Sequence, residues 1–146
     1  MKTAIVFFSV HHGNTKKLVD AIAKQHEVTL IDLTKTKYAD LTEFNRIGIA
    51  SGIYYNKFSK QIMDFVFDNL PYGKDVFFLC TSSFLRSSNF NLIRHVVESR
   101  GCRELGGYQC LGYGTYGPFE RDGIAEGHPT DEEIIPQEGN KIVPQI

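Results

Sequence analysis

Short apolar runs alternate along this chain with amphipathic segments of helical period, and this alternation limits the fold more than any other feature. Runs rich in β-branched and aromatic residues predict strands at 3–9, 27–33, 46–51, 74–82 and 104–114. The segments 14–26, 57–71 and 89–101 carry apolar residues at helical spacing. In the last of these segments, the residues expected to face inward are Leu92, Ile93, Val96 and Val97. Strands and helices that alternate in this way predict an α/β fold, with a parallel sheet covered by helices on both faces.

Length, charge and cysteine content exclude several classes of protein. The 146 residues suit one domain with a substantial core, and the net charge of −1 offers no basic field for nucleic acid or an anionic membrane. No segment is apolar for long enough to cross a bilayer. The three cysteines lack CxxC spacing and are interpreted as free thiols, although Cys80 and Cys110 form a candidate redox pair if their strands are neighbours. We therefore expect a cytoplasmic protein.

The loops that follow the strands are the places to look for a ligand, because parallel sheets bind ligands at the carboxyl ends of their strands. Loops 9–14, 51–57, 81–88 and 113–121 are all rich in Ser, Thr, Gly, Asn, Tyr and Phe. In the first loop, hydroxyl, amide and glycine residues precede a predicted helix, and this arrangement predicts an anion site at the helix N-terminus. The plainer alternative is that Asn14 and Thr15 only cap the helix.

Other chemistries find less support in these loops. The first loop has neither the Gly-Lys-Ser/Thr of a P-loop nor a GxGxxG motif, and it contains no cysteine for a Cys-based phosphatase. A metal site at His11 and His12 would need further ligands, and the candidate that we consider for one, His128, is far away in sequence. Ser9 lacks the G-x-S-x-G context of a hydrolase nucleophile. The acidic cluster of a receiver domain is missing from the strand ends.

The motifs together resemble the flavodoxin family. "FFSVHHGNTKKLVDAIA" resembles its phosphate loop and first helix, and "ASGIYYNKFSKQIMDF" its second flavin loop with the helix that follows. "GYGTYGPF" and "GHPTDEEI" are similar to its third contact region and the start of its last helix. The resemblance covers about residues 1–135. It implies a doubly wound sheet of five parallel strands in the order 2-1-3-4-5, with FMN at the switch between strands one and three.

The resemblance also implies a set of cofactor-binding residues. The FMN phosphate would be held by the first loop, which comprises Ser9, Val10, His11, His12, Gly13, Asn14 and Thr15. Family members usually have Thr or Ser where His11 stands, and an imidazole N–H can also donate to phosphate. The flavin ring would lie between two further loops, formed by Ser51, Gly52, Ile53, Tyr54, Tyr55 and by Thr81, Ser82, Ser83, Phe84. Tyr113 and Gly114 would reach its pyrimidine end.

Two residues of the second loop have particular expected roles. The resemblance implies that a backbone carbonyl in this loop turns to accept a hydrogen bond from the reduced flavin, and Gly52 makes such a turn inexpensive. Either Tyr54 or Tyr55 would stack on the ring, and Tyr54 is the preferred candidate.

The C-terminal part departs from the family pattern. Thr130 can cap a helix, but Pro136 and Gly139 interrupt it, so we expect a flavodoxin-like domain at 1–135 with a short or missing last helix and an irregular tail at 136–146. The missing helix would leave part of one sheet face uncovered. A homodimer or another partner is therefore expected to use this face.

The leading interpretation is an FMN-binding flavoprotein that transfers one or two electrons to and from redox partner proteins, such as a reductase or a ferredoxin-type donor. No catalytic side chain and no metal site are predicted. Two alternatives stay open: an NAD(P)H-dependent FMN or quinone reductase, and a binding module of the same fold that has lost its flavin.

Overall fold

The computed structural model describes residues 2–10, 13–55 and 57–111. Its strands are β1 (Thr3–Phe8), β2 (Thr29–Asp32), β3 (Arg46–Tyr54), β4 (Lys57–Phe58), β5 (Asp75–Ser82) and β6 (Arg103–Leu111). Its helices are α1 (Asn14–Gln25), α2 (Lys60–Asn69) and α3 (Asn91–Ser99), with a short 3₁₀ helix at Ser87–Phe90 before α3. The predicted domain boundary at 135, the last helix, the tail and the face left for a partner all depend on residues beyond 111 and lie outside the described residues.

The sheet has the predicted topology. Its strands follow the order β2-β1-β3-β5-β6, and all these neighbours are parallel. The two-residue β4 pairs antiparallel with the end of β3 and lies off this path. With β4 set aside, the order of the five parallel strands is 2-1-3-4-5, which confirms the predicted α/β flavodoxin-like fold.

Both faces of the sheet are covered, as the continuous apolar runs predict. On one face, Ile5 and Phe7 of β1 and Phe77 and Leu79 of β5 form a core with α1. On the other face, alternate residues of the same strands pack against α2 and α3, and these residues are Ala4, Val6, Val76, Phe78 and Cys80. The period of two along β1 and β5 therefore divides their side chains between two hydrophobic cores.

The segment after the third predicted strand differs from the expectation. Residues 51–57 were expected to form a loop, and a helix was expected from 57. Instead β3 continues to Tyr54 and turns back into β4, and α2 begins at Lys60 with Ser59 as its N-cap. The strand outlasts its apolar run because antiparallel pairing of Ile53 with Phe58 extends the ladder beyond the parallel sheet.

Two smaller expectations also change. Leu92 was expected to face inward from α3, but it is exposed, while Ile93 and Val97 are buried one helical turn apart. Cys80 and Cys110 do lie on neighbouring strands, but Cys110 stands beside Thr81 and belongs to the core on the opposite face from Cys80. All three cysteines are free and buried, so the redox pair is not formed. Among the described residues, no helix has both the length and the apolar character that a membrane crossing requires.

Candidate functional site

Three of the four predicted loops begin at one edge of the sheet. The parallel register places Phe8 of β1 beside Ser51 of β3, and Gly52 of β3 beside Thr81 of β5. The chain that follows β1 therefore starts next to the hairpin of β3 and β4, and the loop after β5 starts on the other side of this hairpin. We call this edge the carboxyl edge. The fourth loop, which contains Tyr113 and Gly114, lies outside the described residues.

The loop before α1 is built differently from an ordinary helix cap. Gly13 is the N-cap residue, with φ of 71°, and no side chain at this position closes the helix end. Asn14 and Thr15 are the first two residues inside the helix, so the plain capping role considered for them is not observed. The cap comes instead from Ser9, whose Oγ accepts a hydrogen bond of 3.1 Å from the Lys16 backbone N–H. Ser9 keeps its own proton available for donation.

The N-terminus of α1 fits a bound anion. The first N–H groups of any α-helix have no acceptor within the helix, and the helix dipole adds positive potential there. The first turn of α1 contains no acidic residue to neutralise it. A Cβ atom added to Gly13 would meet nothing within 4 Å, so the space beside this backbone is open. The left-handed φ, the open space and the Ser9 hydroxyl together suit a phosphate group.

The Lys16 ammonium is not directed toward the proposed anion position at the N-terminus of α1. The Lys16 ammonium forms an ion pair of 2.6 Å with Asp20, one turn further along α1. A hydrogen bond to Asp20, with the charge of the same carboxylate, raises the pKa of Lys16. The amine is directed along the helix surface, and the polar donors at the helix end come from hydroxyl and backbone groups.

A buried hydroxyl pair joins this loop to the neighbouring strand. The Oγ1 atoms of Thr15 and Thr81 lie 3.1 Å apart, although the two residues are separated by 66 positions in sequence. Both side chains are buried. Thr15 stands at the start of α1 and Thr81 near the end of β5, so the pair connects two of the predicted binding loops through one hydrogen bond.

Ser51 stabilises the hairpin of β3 and β4 from the protein interior. This fully buried hydroxyl donates to the Gly52 carbonyl at 2.6 Å and accepts from the Ser59 backbone N–H at 2.9 Å. Gly52 was expected to ease a turn of the backbone in this loop; the structure places Gly52 inside β3, paired with Thr81. In the described conformation, Ser51 therefore supports the hairpin and directs its hydroxyl into the protein.

The two tyrosines of the hairpin differ in placement. The Tyr54 side chain lies over Gly52, since a Cβ added there would come within 3.2 Å of the Tyr54 hydroxyl. Tyr55 is 95% exposed at the tip of the hairpin, with φ of 53°, a left-handed conformation that is costly for a bulky residue. Ile53 is partly buried and pairs with Phe58. Of the two tyrosines, Tyr54 is the one that covers the carboxyl edge.

Side-chain hydrogen bonds connect the loop after β5 to its own backbone and to β6. The Ser82 hydroxyl donates to the Phe84 carbonyl at 2.7 Å and accepts from the Phe84 N–H at 3.2 Å. Buried Asn89 donates to the same carbonyl and, at 2.8 Å, to the side chain of Gln109 on β6. Ser83 is partly buried and the Phe84 ring is exposed. Asn89 and Gln109 were not singled out from the sequence, because their role depends on a contact between β6 and a distant loop.

Some of the predicted site residues cannot be placed. His11 and His12 lie outside the described residues, as Tyr113 and Gly114 do. The described residues that converge on the carboxyl edge are Ser9, Val10, Gly13, Asn14, Thr15, Ser51, Gly52, Ile53, Tyr54, Tyr55, Thr81, Ser82, Ser83 and Phe84.

A family model and a sequence relative both match this chain over most of its length. A family model described as a flavodoxin domain matches residues 5–100. The uncharacterized protein MJ0298 of Methanocaldococcus jannaschii is 32% identical over 137 residues, which cover 92% of this chain and 91% of that protein. The matched region begins within β1, at Ile5, and includes the loop before α1, the hairpin and the loop after β5.

Solved structures of low sequence identity share the fold. A flavodoxin from the domain Archaea has a TM-score of 0.57 at 20% identity, over 85% of this chain and 96% of that one. A flavoprotein from Lactobacillus acidophilus, solved in complex with FMN, has a TM-score of 0.58 at 17% identity, over 74% of this chain and 92% of that one. The two-electron reduced flavodoxin of Megasphaera elsdenii has a TM-score of 0.58 at 14% identity, over 73% and 84% of the two chains.

Proposed function

This chain belongs to the flavodoxin domain family, and on that premise we propose that it binds FMN and carries electrons between redox partner proteins. The observation that carries the proposal is the open helix N-terminus at Gly13, where no side chain of the N-cap residue occupies the end of α1. A phosphate group supplies the negative charge that such a helix end favours. The FMN complex of the Lactobacillus acidophilus flavoprotein, which has the same fold, supports this choice of ligand.

The residues near the phosphate have defined tasks in this proposal. Ser9 donates its hydroxyl proton to a phosphate oxygen while its lone pair caps Lys16. Gly13 lets the backbone approach the phosphate closely, and the first backbone N–H groups of α1 donate to it. Thr15 donates from within the first turn. In the same loop we propose contacts from His11 and from the backbone of Val10 and His12.

The ring end of the site uses the other two loops. Tyr54 offers an aromatic face over Gly52, and the loop from Thr81 to Phe84 borders the opposite side. Ser51 stabilises the hairpin through its hydrogen bonds to Gly52 and Ser59. Tyr113 and Gly114 complete the proposed contacts at the pyrimidine end. When bound, FMN supplies one- and two-electron redox chemistry.

The side chains favour a carrier over an enzyme with its own acid or base. The described binding residues of the three loops contain hydroxyl, amide, aliphatic and aromatic groups, and among them there is no carboxylate, imidazole or amine. The imidazole of His11, in the first loop, is assigned in this proposal to the phosphate and not to the flavin ring. General acid–base catalysis needs such a group within reach of the reacting atoms. Electron transfer through the flavin needs only that the cofactor is held and its edge is reachable by a redox partner.

A pair of glycine variants tests the phosphate site. Gly13 and Gly73 both have left-handed φ values, 71° and 73°, and a Cβ would meet nothing within 4 Å at either position. Gly13→Ala and Gly73→Ala should therefore lose similar stability, about 1–2 kcal/mol. Only Gly13→Ala should weaken FMN binding, by about tenfold, because only its Cβ enters the space proposed for the phosphate.

The measurement is an FMN titration of the flavin-free protein, followed by quenching of flavin fluorescence. Wild-type protein that does not bind FMN would overturn the proposed function and favour a module that has lost its flavin. Stopped-flow mixing of the FMN-loaded protein with NADPH distinguishes an electron carrier from an NAD(P)H-dependent reductase. The flavin absorbance should bleach slowly in a carrier and rapidly in a reductase.

A further inference from the structure

The hydroxyl pair of Thr15 and Thr81 sets up a directional hydrogen bond. Each threonine hydroxyl has one proton to donate and two lone pairs to accept with. The Oγ1 atoms are 3.1 Å apart and buried, so one hydroxyl donates to the other, and either direction satisfies the geometry of the pair. The direction is therefore open to control by whatever else binds to either hydroxyl.

A phosphate bound at the start of α1 would fix the direction of the hydrogen bond between Thr15 and Thr81. A phosphate monoester is largely dianionic at neutral pH and its terminal oxygens act as acceptors. If Thr15 donates its only proton to a phosphate oxygen, it can no longer donate to Thr81. The bond between the two threonines must then run from the Thr81 hydroxyl to the Thr15 oxygen. Thr81 thus supplies the proton that lets Thr15 remain fully hydrogen-bonded while it donates to the anion.

The position of Thr81 in the fold makes this arrangement stable. Thr81 pairs with Gly52 on one side and Cys110 on the other, so its backbone is fixed by both neighbouring strands. Thr81 is 6% exposed, which leaves little water to replace a lost hydrogen-bond partner. A buried donor held in this way polarises the hydroxyl it bonds to, and so strengthens the bond that this second hydroxyl donates.

We propose that Thr81 is a positioning residue that acts through Thr15 to make the site selective for the phosphorylated flavin over riboflavin. This inference rests on the proposed FMN site, and it gives Thr81 a role other than the contact with the flavin ring that the family resemblance implies. A ring contact would serve FMN and riboflavin equally, because the two molecules share the same ring. A role through Thr15 serves only the ligand that carries a phosphate.

The test compares two ligands and three proteins. The dissociation constants of FMN and riboflavin are measured by fluorescence titration of the flavin-free wild type, Thr81→Val and Thr81→Ser. Thr81→Val keeps the side-chain shape without the hydroxyl. It should weaken FMN binding about five- to tenfold and riboflavin binding much less, since one charge-assisted hydrogen-bond chain to the phosphate is lost. Thr81→Ser restores the hydroxyl and should restore the preference for FMN.

A double variant measures the coupling between Thr15 and Thr81. Thr15→Val alone should weaken FMN binding. Adding Thr81→Val to this variant should weaken FMN binding little further, because the donor at position 81 acts only through position 15. Urea denaturation of the flavin-free variants reports separately on folding. If Thr81→Val is too unstable to titrate, Thr81→Ala is compared with Thr81→Ser in the same way.

Three results would contradict the inference. If Thr81→Val weakens the binding of FMN and of riboflavin equally, Thr81 contacts the flavin ring. If the variant binds both flavins as the wild type does, Thr81 is not part of the binding site. Additive effects of the two valine variants would separate Thr81 from Thr15. Each of these results leaves FMN binding by the wild type intact, whereas a wild type that binds neither flavin overturns the proposed function itself.

Discussion

The side chain of Phe77 lies directly against the α-carbon of Gly48, on the neighbouring strand of the sheet. A Cβ added to Gly48 would come 2.5 Å from Cζ of Phe77 and 3.1 Å from Cγ1 of Ile5. Phe77 pairs with Gly48 in the parallel register and is 1% exposed. The glycine therefore makes room for an aromatic ring on the α1 face of the central strands.

We expect Gly48→Ala to lower the free energy of unfolding by about 1–3 kcal/mol, because the added methyl overpacks a rigid part of the core. Urea denaturation measures this. The matched control is Gly52→Ala in the same strand, whose Cβ would meet the partly exposed Tyr54 side chain and which should cost less. Adding Phe77→Leu to Gly48→Ala should cost less than the two single effects together. Wild-type stability of Gly48→Ala would contradict this packing.

Ser51 is expected to stabilise the hairpin rather than only border a ligand. Ser51→Ala removes the acceptor of the buried Ser59 N–H and the donor to the Gly52 carbonyl. A buried backbone group left without its partner costs about 1–3 kcal/mol, and urea denaturation of the flavin-free protein should report a loss in this range. Ser82→Ala is the control, since Ser82 is less buried and water can replace its hydroxyl. Equal losses in the two variants would contradict a special role for Ser51.

Cys80 makes stability depend on pH at the alkaline end. Burial raises the pKa of the Cys80 thiol above its usual 9.0, and the neighbouring Cys110 raises it further. Above about pH 9 the unfolded chain releases this proton while the folded protein retains it, so the unfolded state binds fewer protons. The free energy of unfolding should then fall as pH rises, by up to about 1.4 kcal/mol per pH unit.

Urea denaturation at pH 8, 9 and 10 measures this slope. Cys80→Ala should reduce the slope, whatever it costs in packing at pH 8. Val76→Ala removes a buried side chain from the same face of β5 without removing a thiol, and it should keep the wild-type slope. If Cys80→Ala keeps the wild-type slope as well, another group is responsible for the alkaline loss.

Much of the fold followed from local patterns. The apolar runs of β1 and β5 and the helical spacing of α1 and α2 specify buried strands and amphipathic helices without any long-range information. Parallel strands with helical crossovers leave few topologies, and the family motifs select the order that the structure has. The end of β3 was predicted too early, because the ladder of Ile53 and Phe58 depends on pairing with β4 rather than on hydrophobicity.

The sequence by itself determined the five parallel strands, the three helices, their order along the chain and the edge at which polar loops gather, since each depends on periodicity and on residues close together in the chain. Only the tertiary structure decided which side chains meet there. It placed Thr15 against Thr81, gave the helix cap to Ser9, and laid Tyr54 over Gly52 while Tyr55 faces solvent. The Thr15–Thr81 contact depends on strand register and helix packing, which bring residues 66 positions apart within hydrogen-bond distance. The other two depend on the path that the backbone takes at the ends of the strands, and none of them leaves a pattern in the sequence.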